Sequence, residues 1–296
     1  MLTLAMLIAG GALAYLLLSI LFAFLAQELP RRPVHDPPDW GRVTDTFIPA
    51  RGGGRLEVWR IDPPAVPRGV VLLAHGWGRN RDRMVRRARI FGGMGFTAVI
   101  HSARDHGNSS RCRMMNAVKM AEDIEAVMDW VGEPVLLYGH SAGAAAAAIA
   151  AARRPERVRL LLLEAAYADT EEALRSLYRW FNRFFGFAFG PMIIFWMNVW
   201  YRGGLKRISP AVLAPAIRAP VLLIHGARDR RFPLAFAKRL QQAFPPGRCE
   251  LFIAPDAGHS DSSLDPGYPG AVRGFIDRHL PAPMSRAATG PVRRSG

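Results

Sequence analysis

The sequence predicts an α/β protein built on a mostly parallel eight-stranded sheet with helices on both faces. Three observations lead there. Short β-rich runs alternate with helical patterns. From the third run onward most runs are apolar throughout, as strands covered on both faces should be. Between two distinctive ends lie roughly 240 residues, a length that suits one α/β domain. In order, the runs are Val43–Pro49, Arg55–Ile61, Val70–Ala74, Thr97–Ile100, Val135–Tyr138, Val158–Leu163, Val221–Ile224 and Glu250–Ile253. Helical patterns cover about Arg81–Gly92, Asn116–Val131, Ala142–Arg154, Leu234–Ala243 and Tyr268–His279. Parallel neighbours joined through a helix need right-handed crossovers. Such sheets bind ligands outside the carboxyl ends of their strands, so the residues just after each run are the ones to inspect.

The ends read differently. Leu2 to Gln27 carries no charged side chain. As a helix rising about 1.5 Å per residue it reaches roughly 39 Å, enough for a hydrocarbon core of about 30 Å. A cleaved signal peptide needs a basic start, a shorter apolar run and a small-x-small exit. Here no basic residue precedes the run, the run is long, and it leaves through Phe24-Leu25-Ala26. Residues 1–29 are therefore expected to be an uncleaved, single-pass membrane anchor. Arg31 and Arg32 follow it, and the positive-inside rule then puts the C-terminal bulk in the cytoplasm. Residues 30–42 read as a Pro-rich linker and 43–280 as the α/β domain. Residues 281–296, rich in Pro, Ser, Arg and Gly, read as a disordered basic tail.

Composition narrows the function classes. Lys+Arg 39 against Asp+Glu 24 gives +15, and only Lys119, Lys206 and Lys238 are not arginine. That charge favours an anionic membrane surface or nucleic acid. The densest basic run, Arg79, Arg81, Arg83, Arg86, Arg87 and Arg89, has no interleaved aromatics and no recognised reader motif. It is read as a solvated helix face, with a headgroup contact as the second reading, and no nucleic-acid partner is expected. Two cysteines, Cys112 and Cys249, exclude a disulfide scaffold and a Cys-rich zinc module. H-E-x-x-H, C-x-x-C, G-x-G-x-x-G and P-loop spacings are all missing, so neither a metal nor a cofactor is expected. The oligomeric state stays open.

The fifth run ends in Gly139-His140-Ser141-Ala142-Gly143, a G-x-S-x-G turn between an apolar strand and an Ala-rich helix. Its glycines let the backbone turn tightly and the helix lie close to the strand. A serine hydroxyl is a weak nucleophile; it needs a base, and the base needs an orienting carboxylate. The seventh run is followed by His225-Gly226-Ala227-Arg228-Asp229, the eighth by Pro255-Asp256-Ala257-Gly258-His259. Ser141, Asp229 and His259 thus stand in the order Ser, Asp, His, each after a strand. The bland alternatives are an idle turn serine, a helix-capping Asp and a surface His; agreement of order and placement argues against all three together.

From about Val43 to His279 the chain resembles the α/β-hydrolase superfamily, in the group with a cap after the sixth strand. The resemblance rests on Gly139–Gly143, on His225–Asp229 with Phe232-Pro233 beyond, on Gly258-His259, and on His75-Gly76-Trp77-Gly78 at the end of the third run. It implies the α/β-hydrolase fold with a helical cap at about 165–215. It implies an oxyanion hole from the backbone N–H groups of Trp77 and Ala142, where losing one donor costs about 10²–10³ in rate. Arg104-Asp105-His106-Gly107-Asn108-Ser109 resembles the R-G-H-G-x-S loop of lipase-like members; Asp105 replaces a glycine, and Ser102 sits where an acid is usual. That loop is read as scaffold. Glu164 ends the sixth run, where some members carry the triad acid; Asp229 is preferred.

The cap segment contains Phe184 to Tyr201, 18 residues without a charge. One crossing there would separate Ser141 from Asp229 across a bilayer, and Gly186, Gly190 and Pro191 interrupt it. It is read as an apolar lid that dips into the interface or stays a plain cap core. His75, His140, Glu164, Trp180 and Phe181 are expected to line the substrate pocket. The leading reading is a membrane-anchored serine hydrolase of the carboxylesterase or lipase kind. It would cleave a carboxylic ester or thioester of a small acyl molecule or lipid, with no cofactor. A non-catalytic, tethered binding module and a serine peptidase using the same residues are the alternatives.

Overall fold

The computed structural model describes residues 1–28 and 31–280. The tail expected at 281–296 and the start of the linker fall outside the described residues. Eight strands form one sheet: β1 (Arg42–Pro49), β2 (Arg55–Asp62), β3 (Val70–Ala74), β4 (Thr97–His101), β5 (Val135–His140), β6 (Val158–Glu164), β7 (Val221–Gly226) and β8 (Cys249–Ala254). Their spatial order is β1-β2-β4-β3-β5-β6-β7-β8. β1 and β2 pair antiparallel, as do β2 and β4; every later pair is parallel. All eight expected runs become strands.

The helices in chain order are α1 (Leu2–Leu25), α2 (Val85–Gly92), α3 (Ala117–Val131), α4 (Ala142–Arg153), α5 (Thr170–Phe181), α6 (Arg183–Ala188), α7 (Gly190–Trp200), α8 (Gly204–Arg207), α9 (Pro210–Leu213), α10 (Leu234–Ala243) and α11 (Tyr268–His279). The helix expected from Arg81 begins instead as a 3-10 turn, Arg81–Met84, and turns α-helical only at Val85. Asn80 sets that entry by accepting the Asp82 N–H on its side-chain oxygen at 3.1 Å.

Strand side chains alternate between two cores, the period-two pattern that a doubly covered sheet requires. Leu72, Val99, Leu137, Leu161 and Leu223 face α3, α4 and α10, whereas Leu73, Ile100, Leu136, Leu162 and Leu222 face α2 and α11. The alanines Ala144 to Ala148 let α4 lie flat on the sheet. Gly143 makes the approach closest: a Cβ there would stand 2.4 Å from the His75 carbonyl oxygen.

Between β6 and β7 the chain forms the cap, α5 to α9. The uncharged stretch breaks at Phe189, and α7 has 11 residues. At about 1.5 Å each that reaches only half of a hydrocarbon core. Among the described residues one helix is long and apolar enough to cross a membrane, α1, with a mean hydropathy of 2.3. Its second half leans on the cap. Tyr15 Oη donates to the Ala188 carbonyl at 2.6 Å, Trp196 Nε1 donates to Ser19 Oγ at 2.8 Å, and Phe22 meets Phe189 edge-on at 4.9 Å. Tyr201 Oη reaches Gln27 Oε1. Tyr15 and Ser19 on α1, and Gln27 just past its end, thus turn their polar groups toward the cap.

Candidate active site

The site forms where β3, β5, β7 and β8 end. Ser141 is the first residue after β5 and caps α4 with φ 57 and ψ −119. For a residue with a Cβ this costs about 1–3 kcal/mol and persists only where the surroundings hold it. They do: Ser141 N–H donates to the Glu164 carbonyl at 2.9 Å, and α4 is pinned through Gly143. The turn after β3 passes directly over the serine, since a Cβ on Gly76 would lie 3.2 Å from Ser141 Cβ.

The three residues singled out by motif and order come together. His259 Nε2 lies 2.9 Å from Ser141 Oγ, and His259 Nδ1 lies 2.7 Å from Asp229 Oδ2. A carboxylate accepts only, so Nδ1 carries the proton and Nε2 is left to accept from the serine hydroxyl. Asp229 Oδ1 accepts the Arg231 and Phe232 N–H groups at 2.8 and 3.0 Å. Burial disfavours the charge of Asp229, but His259, the Phe232 N–H and the nearby His225 outweigh it and hold the carboxyl below its ordinary range. The His259 loop is tied twice from beneath: His140 Nε2 donates to the His259 carbonyl at 3.1 Å, and Arg87 Nη2 to the Ser260 carbonyl at 3.2 Å.

In front of Ser141 opens a cavity of about 230 Å³, lined by Trp77, Ala142, Tyr167, Leu174, Leu177 and Phe232 among others. The N–H groups of Trp77 and Ala142 donate to no other group among the described residues, so both are free for a ligand oxygen. Ala26 and Gln27, just past α1, form part of the wall.

Comparison with known proteins places the fold that carries this arrangement. A family model described as serine aminopeptidase, S33 matches residues 65–194. The monoacylglycerol lipase of Mycolicibacterium smegmatis is 23% identical over 70% of this chain and 87% of its own. An esterase of Pyrococcus furiosus superposes with a TM-score of 0.68 at 17% identity, over 85% of this chain and 99% of that one. A membrane phospholipase A, a bacterial virulence factor, superposes at 0.62 with 20% identity, over 95% of this chain and 98% of that one. The chain belongs to the α/β-hydrolase superfamily. Its neighbours include esterases and lipases.

Five residues expected on the substrate pocket of this α/β hydrolase lie elsewhere, which is a correction. His75 is buried beneath the turn; its Nε2 accepts the Ala103 N–H at 3.0 Å, leaving Nδ1 to donate to the Gly76 carbonyl at 2.8 Å. His140 faces the back of the His259 loop. Glu164 points into the core, where Arg87 Nε and Nη2 donate to it at 2.5 and 2.7 Å and Tyr138 Oη at 2.5 Å. Trp180 lies on the outer cap with the Arg231 guanidinium 4.0 Å over its ring, and Phe181 is 74% exposed. His140 and Glu164 end β5 and β6 and His75 follows β3, and the chain there turns all three side chains away from the cavity. Trp180 and Phe181 sit on the solvent side of an amphipathic α5 whose inner face is Ala173, Leu174, Leu177 and Tyr178.

Both departures from the lipase-like loop have a structural reason. Asp105 has φ 63, the left-handed region that favours glycine, and Asp tolerates it while accepting the Cys112 N–H at 2.9 Å. Ser102 donates to Glu57 Oε1 at 2.5 Å, so the acid comes from β2 instead. His106 Nε2 accepts the Gly78 N–H at 3.2 Å and thereby steadies the oxyanion turn.

Two buried histidines, His101 and His140, are expected to make the α/β hydrolase acid-sensitive. Burial pushes His101 down to about 4, and burial first, with the nearby charges of Arg87 and His259, pushes His140 down to about 3. Unfolded, each would titrate near 6.5. The unfolded chain therefore binds more protons below that pH, and stability is full above it and falls as the pH drops from 6.5 toward 4. The melting temperature should fall across that window; a flat profile between pH 7 and 4.5 would contradict this.

Proposed function

We propose that this α/β hydrolase is a membrane-anchored serine hydrolase that cleaves carboxylic ester or thioester bonds of an apolar acyl substrate. The observation that carries the reading is the continuous relay Asp229–His259–Ser141 opening onto a largely apolar cavity with two unengaged N–H groups. Ser141 Oγ attacks the acyl carbon as His259 Nε2 takes its proton, and Asp229 steadies the imidazolium. The negative oxygen of the tetrahedral intermediate rests on the Trp77 and Ala142 N–H groups. His259 protonates the leaving alcohol or thiol, the C–O or C–S bond breaks, and the acyl chain stays on Ser141. His259 then deprotonates a water that attacks the acyl-enzyme; the acid leaves and the proton returns to Ser141.

The description of the matching family model raises peptide hydrolysis as a second reading. An aminopeptidase needs an acid for the substrate ammonium, and no Asp or Glu lines the cavity among the described residues. The wall favours an acyl chain. The test is a fluorophosphonate probe on the detergent-solubilised protein followed by a panel of p-nitrophenyl esters of rising chain length. The expected result is labelling of Ser141 and a preference for medium or long chains. An unlabelled Ser141, or labelling with no ester turned over, would overturn the reading.

We further propose residues 1–29 as the anchor, 30–42 as linker and 43–280 as a cytoplasmic catalytic domain with its cap at 165–215. With α1 leaning on α6 and α7, the cap meets the bilayer through its exposed aromatic side chains, Phe184 (85% exposed), Phe187 and Phe195. The protein should stay with membranes after alkaline carbonate washing, and release into the supernatant would refute the anchor.

A further inference from the structure

Beside the cavity of Ser141 lies a second, polar groove of about 790 Å³. The two share a rim. Trp77 and His259 stand on the cavity wall, while Arg79 and Asp261, two residues further along each segment, stand on the groove wall. Two residues of extended chain reach no more than about 7 Å. Four arginines of the groove, Arg32, Arg79, Arg83 and Arg86, have no carboxylate within ion-pair distance among the described residues. Two others, Arg87 and Arg89, are tied to Glu164 and Asp39. The carboxylates Asp36, Asp82 and Asp261 also face the groove. Charge is nonetheless uneven within it. Burial weakens the Arg79 cation, and three like charges, Arg32, Arg83 and Arg231, press on it against one opposing acid, Asp82. Arg231 reaches this cluster from the wall of the apolar cavity. Guanidinium groups that outnumber the acids beside them, are tied to none of them, and face a cavity can hold phosphate, because the planar fork matches its oxygens.

We propose that this groove is a headgroup subsite that binds the phosphate of an acylated phosphate ester while its acyl chain lies in the Ser141 cavity. The inference rests on the ester-hydrolase reading above and narrows its substrate class to phosphate-bearing acyl lipids. In a glycerophospholipid only a few bonds separate the scissile ester from the phosphate, so one molecule can fill both spaces across the shared rim. Arg32 belongs to the segment that follows α1, which brings the groove to the level at which an anchored protein meets lipid headgroups.

The test uses the full-length protein in detergent with dioctanoyl phosphatidylglycerol and dioctanoylglycerol, which carry the same esters with and without phosphate. The readout is the ratio of their kcat/KM values in the wild type, in Arg79→Gln, in Arg83→Gln and in the double variant. The ratio should fall by about tenfold or more in the double variant, the loss expected for charge-assisted bonds to phosphate. Inorganic phosphate should compete with the phospholipid and not with dioctanoylglycerol. Equal loss on both substrates would make the arginines structural and overturn the proposal, as would an unchanged ratio. Calorimetric binding of inorganic phosphate with an unchanged ratio would assign the groove to the free ion and overturn the headgroup subsite. A parallel arm measures binding of dioctanoyl phosphatidylglycerol to Ser141→Ala with and without the arginine changes. Arginine-dependent binding there, with no turnover by the wild type, would keep the subsite and sink the hydrolase reading; arginine-independent binding would sink the subsite.

Discussion

Replacing Ser141 by alanine is expected to lower kcat for ester hydrolysis by roughly 10⁴-fold or more while leaving the fold intact. The size follows from the geometry. With the hydroxyl gone no atom at 2.9 Å from His259 Nε2 can be deprotonated to form an acyl-enzyme, and what remains is the contribution of the N–H donors and of binding. The fold survives because the strained turn depends on main-chain and packing contacts, the bond from Ser141 N–H to Glu164 and the seat of Gly143, which alanine keeps. Asp229→Asn is expected to be nearly as damaging, about 10⁴-fold, because an amide can turn its NH₂ toward Nδ1 and favour the wrong imidazole tautomer. Glu164→Gln is the control that separates the two acids raised by the sequence. Glu164 touches Arg87 and Tyr138 and not His259, so its loss should act on stability before it acts on the ester. Turnover and thermal melting in the same detergent measure both. If Ser141→Ala melts the protein or keeps its turnover, the serine is not the nucleophile.

Much of this was legible in the residues, for reasons that differ from element to element. The strands were readable because burial on both faces leaves a run such as Val70–Ala74 no polar positions at all. The relay was readable because a parallel sheet delivers the ends of β5, β7 and β8 to one edge, so three strand-end positions distant in sequence become neighbours. The pocket wall was not readable in the same way. It is made by the inner face of α5, by Phe232 and by Ala26-Gln27, and which face of a cap helix turns inward depends on how α7 and α1 pack around it. Trp180 and Phe181 are large aromatic side chains, and size does not say which way a helix is turned. Tyr15 and Ser19, four residues apart on α1, and Gln27 just past its end do carry a signal, because polar side chains recurring on one side of an apolar segment mark the side that meets protein. The Arg87–Glu164 pair had no local signal, because its members are 77 positions apart and nothing in either stretch of sequence points to the other.

That pair carries the second large prediction. Arg87 and Glu164 are both almost without solvent contact, at 2% and 0% of side-chain exposure. Burial would push the Glu164 carboxyl up, but the Arg87 charge and its hydrogen bonds, with help from Tyr138, bring it down to about 2. An ion pair in such a place adds little net stability over a well-packed apolar pair, yet removing one member strands the other. Arg87→Met is therefore expected to cost about 3–5 kcal/mol. It also frees the Ser260 carbonyl and loosens the loop that presents His259, so kcat should fall further than the stability loss accounts for at temperatures where the variant is still folded. Arg87→Met combined with Glu164→Leu should recover much of the stability, because neither charge is left buried and Tyr138 keeps its contact to Tyr268 Oη at 3.1 Å. It should not recover kcat, since the Ser260 carbonyl still lacks its donor. Thermal melts and turnover of the two single variants and the double variant test this. A double variant no more stable than Arg87→Met would show that the cost lies in lost packing around the guanidinium and not in a stranded carboxylate. A double variant with wild-type kcat would remove Arg87 from the positioning of His259.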